Sequence, residues 1–163
     1  MGKSVILAGA RTPFGKLNGA LASKSAVELS GIAIKAAIER SGVAPEDVDH
    51  VIMGQVLQGG AGQIPSRQAA FKAGLCKTVT SETINRVCGS GMRAITLADT
   101  LIRCEDHRLV VAGGMESMTQ APHILRGARA GYRMGNGVLE DMMIVDGLFC
   151  AMECVQMGVH GDT

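Results

Sequence analysis

Between Ser81 and Leu101 the sequence changes its repeat within a few residues, and that change restricts what the chain can become. Ser81–Val87 reads as a short strand, because Val79, Thr80, Thr83, Ile84 and Val87 crowd β-branched side chains into one window. Met92–Cys104 reads as a helix whose broad apolar stripe is Met92, Ile95, Leu97, Ala98, Leu101 and Ile102. Cys88-Gly89-Ser90-Gly91 lies between the two, so Cys88 stands where a strand turns sharply into a helix. Gly89 and Gly91 permit positive φ and leave room for a ligand to approach the backbone.

That position has a chemical consequence. At a helix N-terminus, free N–H groups and the positive end of the dipole favour an anion. A cysteine there is expected to ionise more readily than a free thiol, whose pKa is about 8.5. The same N–H groups can hold the oxyanion that forms on an attacked carbonyl. A buried cysteine packed as a small hydrophobe is the ordinary alternative. Strand, cysteine, two glycines and helix together favour the nucleophile.

The rest of the chain repeats the strand–helix alternation. Ser4–Ala8 is an apolar run of strand length, expected to be buried on both faces, and Arg11–Gly19 is a loop. Ser25 and Glu28 have capping-box spacing. The helix they open is expected to bury Leu29, Ile32, Ala33, Ala36 and Ala37 and to end at Gly42. Pro45 starts a brief helical turn, Val51–Leu57 reads as a strand, and Pro65 begins a helix through Ala73. Arg108–Ala112 is a further apolar strand. This order implies an α/β layer on a mixed, mostly parallel sheet. From Gln120 to Gly137 the period is lost, and Met142–Met157 recovers a helical pattern. A boundary is expected near residue 119, separating a domain of residues 1–119 from a second unit of residues 120–163.

Composition removes several function classes. A net charge of +1 gives no electrostatic pull toward nucleic acid or anionic lipid. With no Trp, one Tyr and three Phe there is little to stack single-stranded bases on. Five cysteines without framework spacing do not suggest a disulfide scaffold. No apolar run approaches the roughly 20 residues of a membrane span, and a reducing, cytoplasmic setting is expected. Other motifs fall away on inspection. Gly59-Gly60-Ala61-Gly62 lacks the Gly-Lys-Ser/Thr ending of a phosphate loop and reads as a turn. Gly89-Ser90-Gly91 lacks the glycine spacing of a serine nucleophile elbow. Cys150, Cys154 and His160 fit no common zinc pattern, so no metal is expected. Cys76 and Cys104 read as structural, and His50, His107 and His123 as solvated imidazoles. Arg126, Arg129 and Arg133 read as a solvated loop face.

Asn85-Arg86-Val87-Cys88-Gly89-Ser90-Gly91-Met92 resembles the nucleophile segment of the thiolases, the acetyl-CoA C-acetyltransferase family. Ala10-Arg11-Thr12-Pro13-Phe14-Gly15 resembles the family's opening, and the run from Gly62 to Ala70 its early helix start. Val111-Ala112-Gly113-Gly114-Met115-Glu116-Ser117-Met118 resembles the segment after the nucleophile helix. The resemblance implies two like α/β domains with a loop domain inserted. Residues 1–119 would be the first domain and 120–163 the truncated start of the loop domain.

The resemblance also implies a chemistry. Cys88 takes an acyl group from acyl-CoA, and the acyl-cysteine then condenses with acetyl-CoA to acetoacetyl-CoA, or the path runs backward as thiolysis. Coenzyme A thioesters are then substrates, and no cofactor is permanently bound. Met134 and Met157 match positions lining the acyl and pantetheine channel, and Gln156 stands where thiolases commonly carry His. Gln hydrogen-bonds but carries no charge. A homodimer or tetramer is implied. The family's activating histidine and second cysteine lie in its second half, so this chain is expected to have negligible condensing activity alone. The alternatives are a non-catalytic half-domain acting as an interaction module, and a ketoacyl synthase of the same fold.

Overall fold

A computed structural model describes residues 3–162. The first helix, α1 (Ala26–Ser41), starts on a complete capping box. Ser25 Oγ accepts the Glu28 N–H at 3.2 Å, and the Ser25 N–H donates to Glu28 Oε2 at 2.9 Å. The Ser25 N–H first, and then the Ser25 hydroxyl donating to the same Oε2 at 3.0 Å, hold the Glu28 carboxyl below its ordinary value of 4.5. Gly42, at φ 70°, ends the helix in the left-handed region.

The face that α1 buries differs from expectation. It is Ala26, Val27, Ser30, Gly31 and Ile34, whereas Ile32 is exposed and Leu29, Ala33, Ala36 and Ala37 are only half-buried. The reason lies in the neighbour, α2 (Pro65–Lys72). A Cβ on Gly31 would meet the Lys72 Cβ at 2.7 Å, so the two helices close along their smallest side chains. Close packing outranks the apolar stripe in setting the rotation.

Three parallel strands form the sheet: β1 (His50–Gly54), β2 (Thr80–Ile84) and β3 (Val110–Gly114), in the order β2-β1-β3. His50 pairs with Thr80 and Val110, and Gly54 with Ile84 and Gly114. The α/β class and parallel sheet match the expectation. Alternation then sorts the core into two layers. Val51 and Met53 face α1 and α2, with Val79, Ala69, Ala70 and Leu75. Ile52 faces α3 (Ser90–Arg103), with Ala94, Ala98, Ile84 and Ala112. Full burial of a side chain such as Ile52 stabilises the fold by about 1.5–3 kcal/mol.

Three expected elements change. Ser4–Ala8 is not a strand: Val5 and Ile6 are 73% and 84% exposed, and no described strand pairs with the segment. It is tied instead by side chains, Ser4 Oγ to Asp99 on α3 and Arg40 Nη1 to the Gly9 carbonyl at 2.9 Å. An apolar run becomes a strand only where a neighbour offers backbone partners. The strand expected over Val51–Leu57 stops at Gly54, because Glu116 takes the Val56 and Leu57 amides. The helix expected over Met142–Met157 breaks up into a π-helical turn (Met143–Leu148) and the hairpin of β6 (Phe149–Cys150) and β7 (Val155–Gln156), before α4 (Met157–Gly161). Ahead of it, β4 (His123–Leu125) and β5 (Leu139–Asp141) form another antiparallel pair. Among the described residues no helix is long and apolar enough to cross a membrane.

Candidate active site

All three parallel strands end on the same side, and the start of α3 is laid across those ends. Ligands of open α/β sheets bind outside the carboxyl ends of the strands. Glycines permit the approach. A Cβ on Gly54 would lie 2.4 Å from the Ser90 carbonyl carbon, and one on Gly114 would lie 3.2 Å from Gly91 Cα. No side chain separates the first turn of α3 from the sheet.

The turn into that helix carries the backbone strain, at a residue the sequence did not single out. Val87 has φ 48°, a costly value for a β-branched residue, whereas Gly89 has φ −83° and Gly91 is not among the positive-φ residues. The positive φ that Gly89 and Gly91 permit is therefore not used. Gly91 serves close approach to Gly114, and Val87 makes the sharp bend. Hydrogen bonds surround the bend. Asn85 Oδ1 accepts the Val87 N–H at 2.9 Å, and Ser90 Oγ donates to the Val87 carbonyl at 2.5 Å while accepting the Arg86 N–H at 2.7 Å.

Cys88 follows immediately and is exposed. It opens on a cavity of about 680 Å³ whose wall includes Phe14, Leu29, Val56, Met115, Glu116 and Leu148. Gly89 is the N-cap of α3 and makes no side-chain cap bond; the Ser90 N–H donates to the Val87 carbonyl at 3.1 Å, and no capping side chain covers the amides that follow. An exposed thiol, the start of a helix and a largely apolar cavity are thereby brought together. This is an arrangement for attack on a carbonyl group.

Glu116 is the charged residue that sequence reasoning missed. Its half-buried carboxylate accepts the Val56 N–H at 2.8 Å and the Leu57 N–H at 3.3 Å. Burial pushes its pKa above 4.5, and the two amides pull the other way. The available signal was a lone acid inside Gly113–Met118, a run otherwise small, apolar or hydroxylic. Gln55, also missed, is buried on the same wall, with Nε2 donating to the Leu57 carbonyl at 3.0 Å.

The other sequence-derived candidates stand elsewhere. Met134 is 97% exposed, and Met157 and Gln156 are exposed around the β7–α4 junction; none lines the Cys88 cavity. Among the described residues no histidine lines it either. His50 and His107 are not the solvated imidazoles expected: His50 is buried and His107 half-buried, and their rings stack at 4.6 Å at the amino end of the sheet. Burial first, with the His107 charge, lowers the His50 pKa from 6.5, and Glu82 opposes the shift. His160 lies 3.6 Å from Glu153, and Cys150 is buried while Cys154 is exposed. Among the described residues no three His, Cys, Asp or Glu side chains form a metal-holding group.

Known proteins resemble this chain over nearly its whole length. The family described as "Thiolase, N-terminal domain" matches residues 4–163. The acetyl-CoA acetyltransferase of Cupriavidus necator is 54% identical over 158 residues, 97% of this chain and 40% of that protein. A probable acetyl-CoA acetyltransferase of Mycobacterium tuberculosis is 55% identical over 148 residues, 91% of this chain and 38% of that protein. The acetyl-CoA acetyltransferase of Escherichia coli is 48% identical over 163 residues, 99% of this chain and 41% of that protein. The chain thus spans about 40% of the length of these curated relatives. With a cysteine presented at the head of α3 and a family match over nearly every residue, the chain belongs to the thiolase family, as an N-terminal domain.

Proposed function

We propose that this chain is the acyl-accepting part of an acetyl-CoA C-acetyltransferase and that Cys88 is its nucleophile. The observation that carries the reading is the exposed Cys88 sulfur, held at the head of α3 beside a cavity at the strand ends. The Cys88 thiolate attacks the thioester carbonyl of an acyl-CoA. The carbonyl π electrons move onto oxygen, where amides at the start of α3 stabilise the charge. As the carbonyl re-forms, the carbon–sulfur bond to coenzyme A breaks, and the leaving thiolate takes up a proton from solvent. The acyl-cysteine then accepts the α-carbanion of acetyl-CoA, forming the carbon–carbon bond and releasing the Cys88 thiolate.

Coenzyme A thioesters are substrates in this scheme, with no resident cofactor. Abstraction of the α-proton needs a base near the acyl group; among the described residues no histidine lines the Cys88 cavity, and the Glu116 carboxylate there is taken up by the Val56 and Leu57 amides. Acyl transfer without condensation is therefore the activity assigned to the chain by itself. No step of that transfer requires Met134, Gln156 or Met157. Residues 1–119 are assigned to the first α/β domain and 120–163 to the start of the inserted unit, and a dimer or tetramer to the full-length protein.

A second reading, an interaction module without catalysis, is favoured by one observation: Val5, Ile6 and Phe14 expose large apolar side chains along residues that pair with no described strand. Incubation with acetyl-CoA separates the two. The enzyme reading expects one free coenzyme A thiol released per chain, no acetoacetyl-CoA, and no release from Cys88→Ala. Release that persists in Cys88→Ala, or none from the unaltered chain, favours the interaction module.

A further inference from the structure

We infer that Glu116 and Asn85 are positioning residues for Cys88, joined by a hydrogen-bonded relay that crosses the ends of all three parallel strands. The inference rests on Cys88 being the acyl acceptor, and it adds what keeps the sulfur in place.

The relay starts just past β3. Glu116 holds the amides of Val56 and Leu57 with its two carboxylate oxygens, at 2.8 and 3.3 Å. This fixes the backbone just past β1. The Val56 carbonyl then accepts from Asn85 Nδ2 at 3.4 Å, just past β2. The same Asn85 side chain accepts the Val87 N–H at 2.9 Å through Oδ1. Val87 is the residue at φ 48° immediately before Cys88. Glu116, Val56, Val87 and Cys88 all line the same cavity.

A strained conformation persists only where its surroundings over-determine it. The left-handed bend at Val87 is such a place. Ser90 holds it from the helix side, through Oγ to the Val87 carbonyl and from the Arg86 N–H. Asn85 holds it from the sheet side, and Asn85 is in turn held by a peptide that Glu116 clamps. Glu116 is well suited to the task because a carboxylate accepts two amides at once, and a neutral amide side chain has only one oxygen. Arg11 and Lys16 are the other charged residues on the cavity wall, and neither acts on the Glu116 carboxyl, whose shift comes from burial against the Val56 and Leu57 amides. The relay therefore responds to the carboxyl's own protonation.

The test uses the whole 163-residue chain. Backbone amide signals are followed by NMR while the solution is acidified, for the unaltered chain, Glu116→Gln and Asn85→Ala. The expected result is that Val56, Leu57, Val87 and Cys88 shift together, with one midpoint above 4.5. Glu116→Gln abolishes that transition at all four. Asn85→Ala abolishes it at Val87 and Cys88 and keeps it at Val56 and Leu57. Acetylation by acetyl-CoA is expected to slow at least about tenfold in both variants, since misplacing a reacting group by about 1 Å costs that much or more. The relay is overturned if Val87 and Cys88 do not follow the transition, or if they still follow it in Asn85→Ala. Failure of the unaltered chain to take up acetyl would refute Cys88 as acceptor, and the NMR transition would still decide the relay.

Discussion

At the scale of single residues, the account turns on groups whose surroundings differ from water. His50 sits on β1 with Nδ1 2.6 Å from Thr80 Oγ1, Nε2 3.5 Å from Glu82 Oε1, and the His107 ring stacked above it. Asp106 adds a further negative charge nearby. Burial lowers the His50 pKa from 6.5, so the folded state binds this proton less readily than the unfolded one. The resulting contribution to stability is complete above 6.5 and is lost as pH falls from 6.5 through the folded value. Asp49 has the same sign in a lower window. The Leu109 and Arg108 amides donate to its carboxylate at 2.9 and 2.7 Å and hold it below 3.8, so its contribution is lost only under stronger acid. Glu116, raised above 4.5, works in the opposite direction and loses its penalty on acidification. Urea midpoints measured across pH should fall on acidification from 6.5, and His50→Gln should flatten that first decline. An identical decline in His50→Gln would assign the effect to other groups.

At the scale of elements, what could be read in advance depended on whether local or distant neighbours decide. The cap of α1 was legible because Ser25 and Glu28 satisfy each other across three residues. The start of α3 was legible because a change of repeat marks it. The rotation of α1 was not, since it depends on Gly31 meeting Lys72 from a helix far along the chain. Nor was Val87, whose φ is imposed by Asn85 and Ser90 against the preference of its own side chain. Cys88 was legible at the site, whereas Glu116 was not: its partners are amides 59 and 60 residues away, and no spacing announces them. The meeting of α3 with the sheet gives the sharpest mutational expectation. Gly54→Ala places a methyl 2.4 Å from a backbone carbon that cannot step aside, so it should cost about 3 kcal/mol or more, the upper end of overpacking. Gly158→Ala, with nothing within 4 Å of the added carbon, should change the stability read from urea unfolding by no more than about 0.5 kcal/mol. Equal effects from the two would show that the α3–sheet contact is looser than described.

At the scale of the whole molecule, the sheet has one fully buried strand, β1, with half-buried neighbours on either side, while the apolar amino-terminal segment is tied to α3 through Ser4 and to α1 through Gly9. Val5 and Ile6 follow the pattern of a buried strand yet lie exposed, and the chain covers about 40% of its relatives' length. Amide exchange should reflect this gradient. Val51, Ile52 and Met53 are expected to be the slowest, and residues 4–9 to exchange at near-unprotected rates; strong protection of residues 4–9 would reveal a partner strand supplied by another copy. Which sulfur reacts decides the assignment. Cys76, Cys88, Cys104 and Cys154 are all exposed and Cys150 is buried, so the chain carries its own controls. The most direct measurement is to treat the unaltered chain briefly with acetyl-CoA, digest it, and locate the acetyl group by mass spectrometry. The account predicts acetyl on Cys88 well ahead of the other three exposed thiols. Acetyl spread evenly over all four, or absent from Cys88, would contradict it.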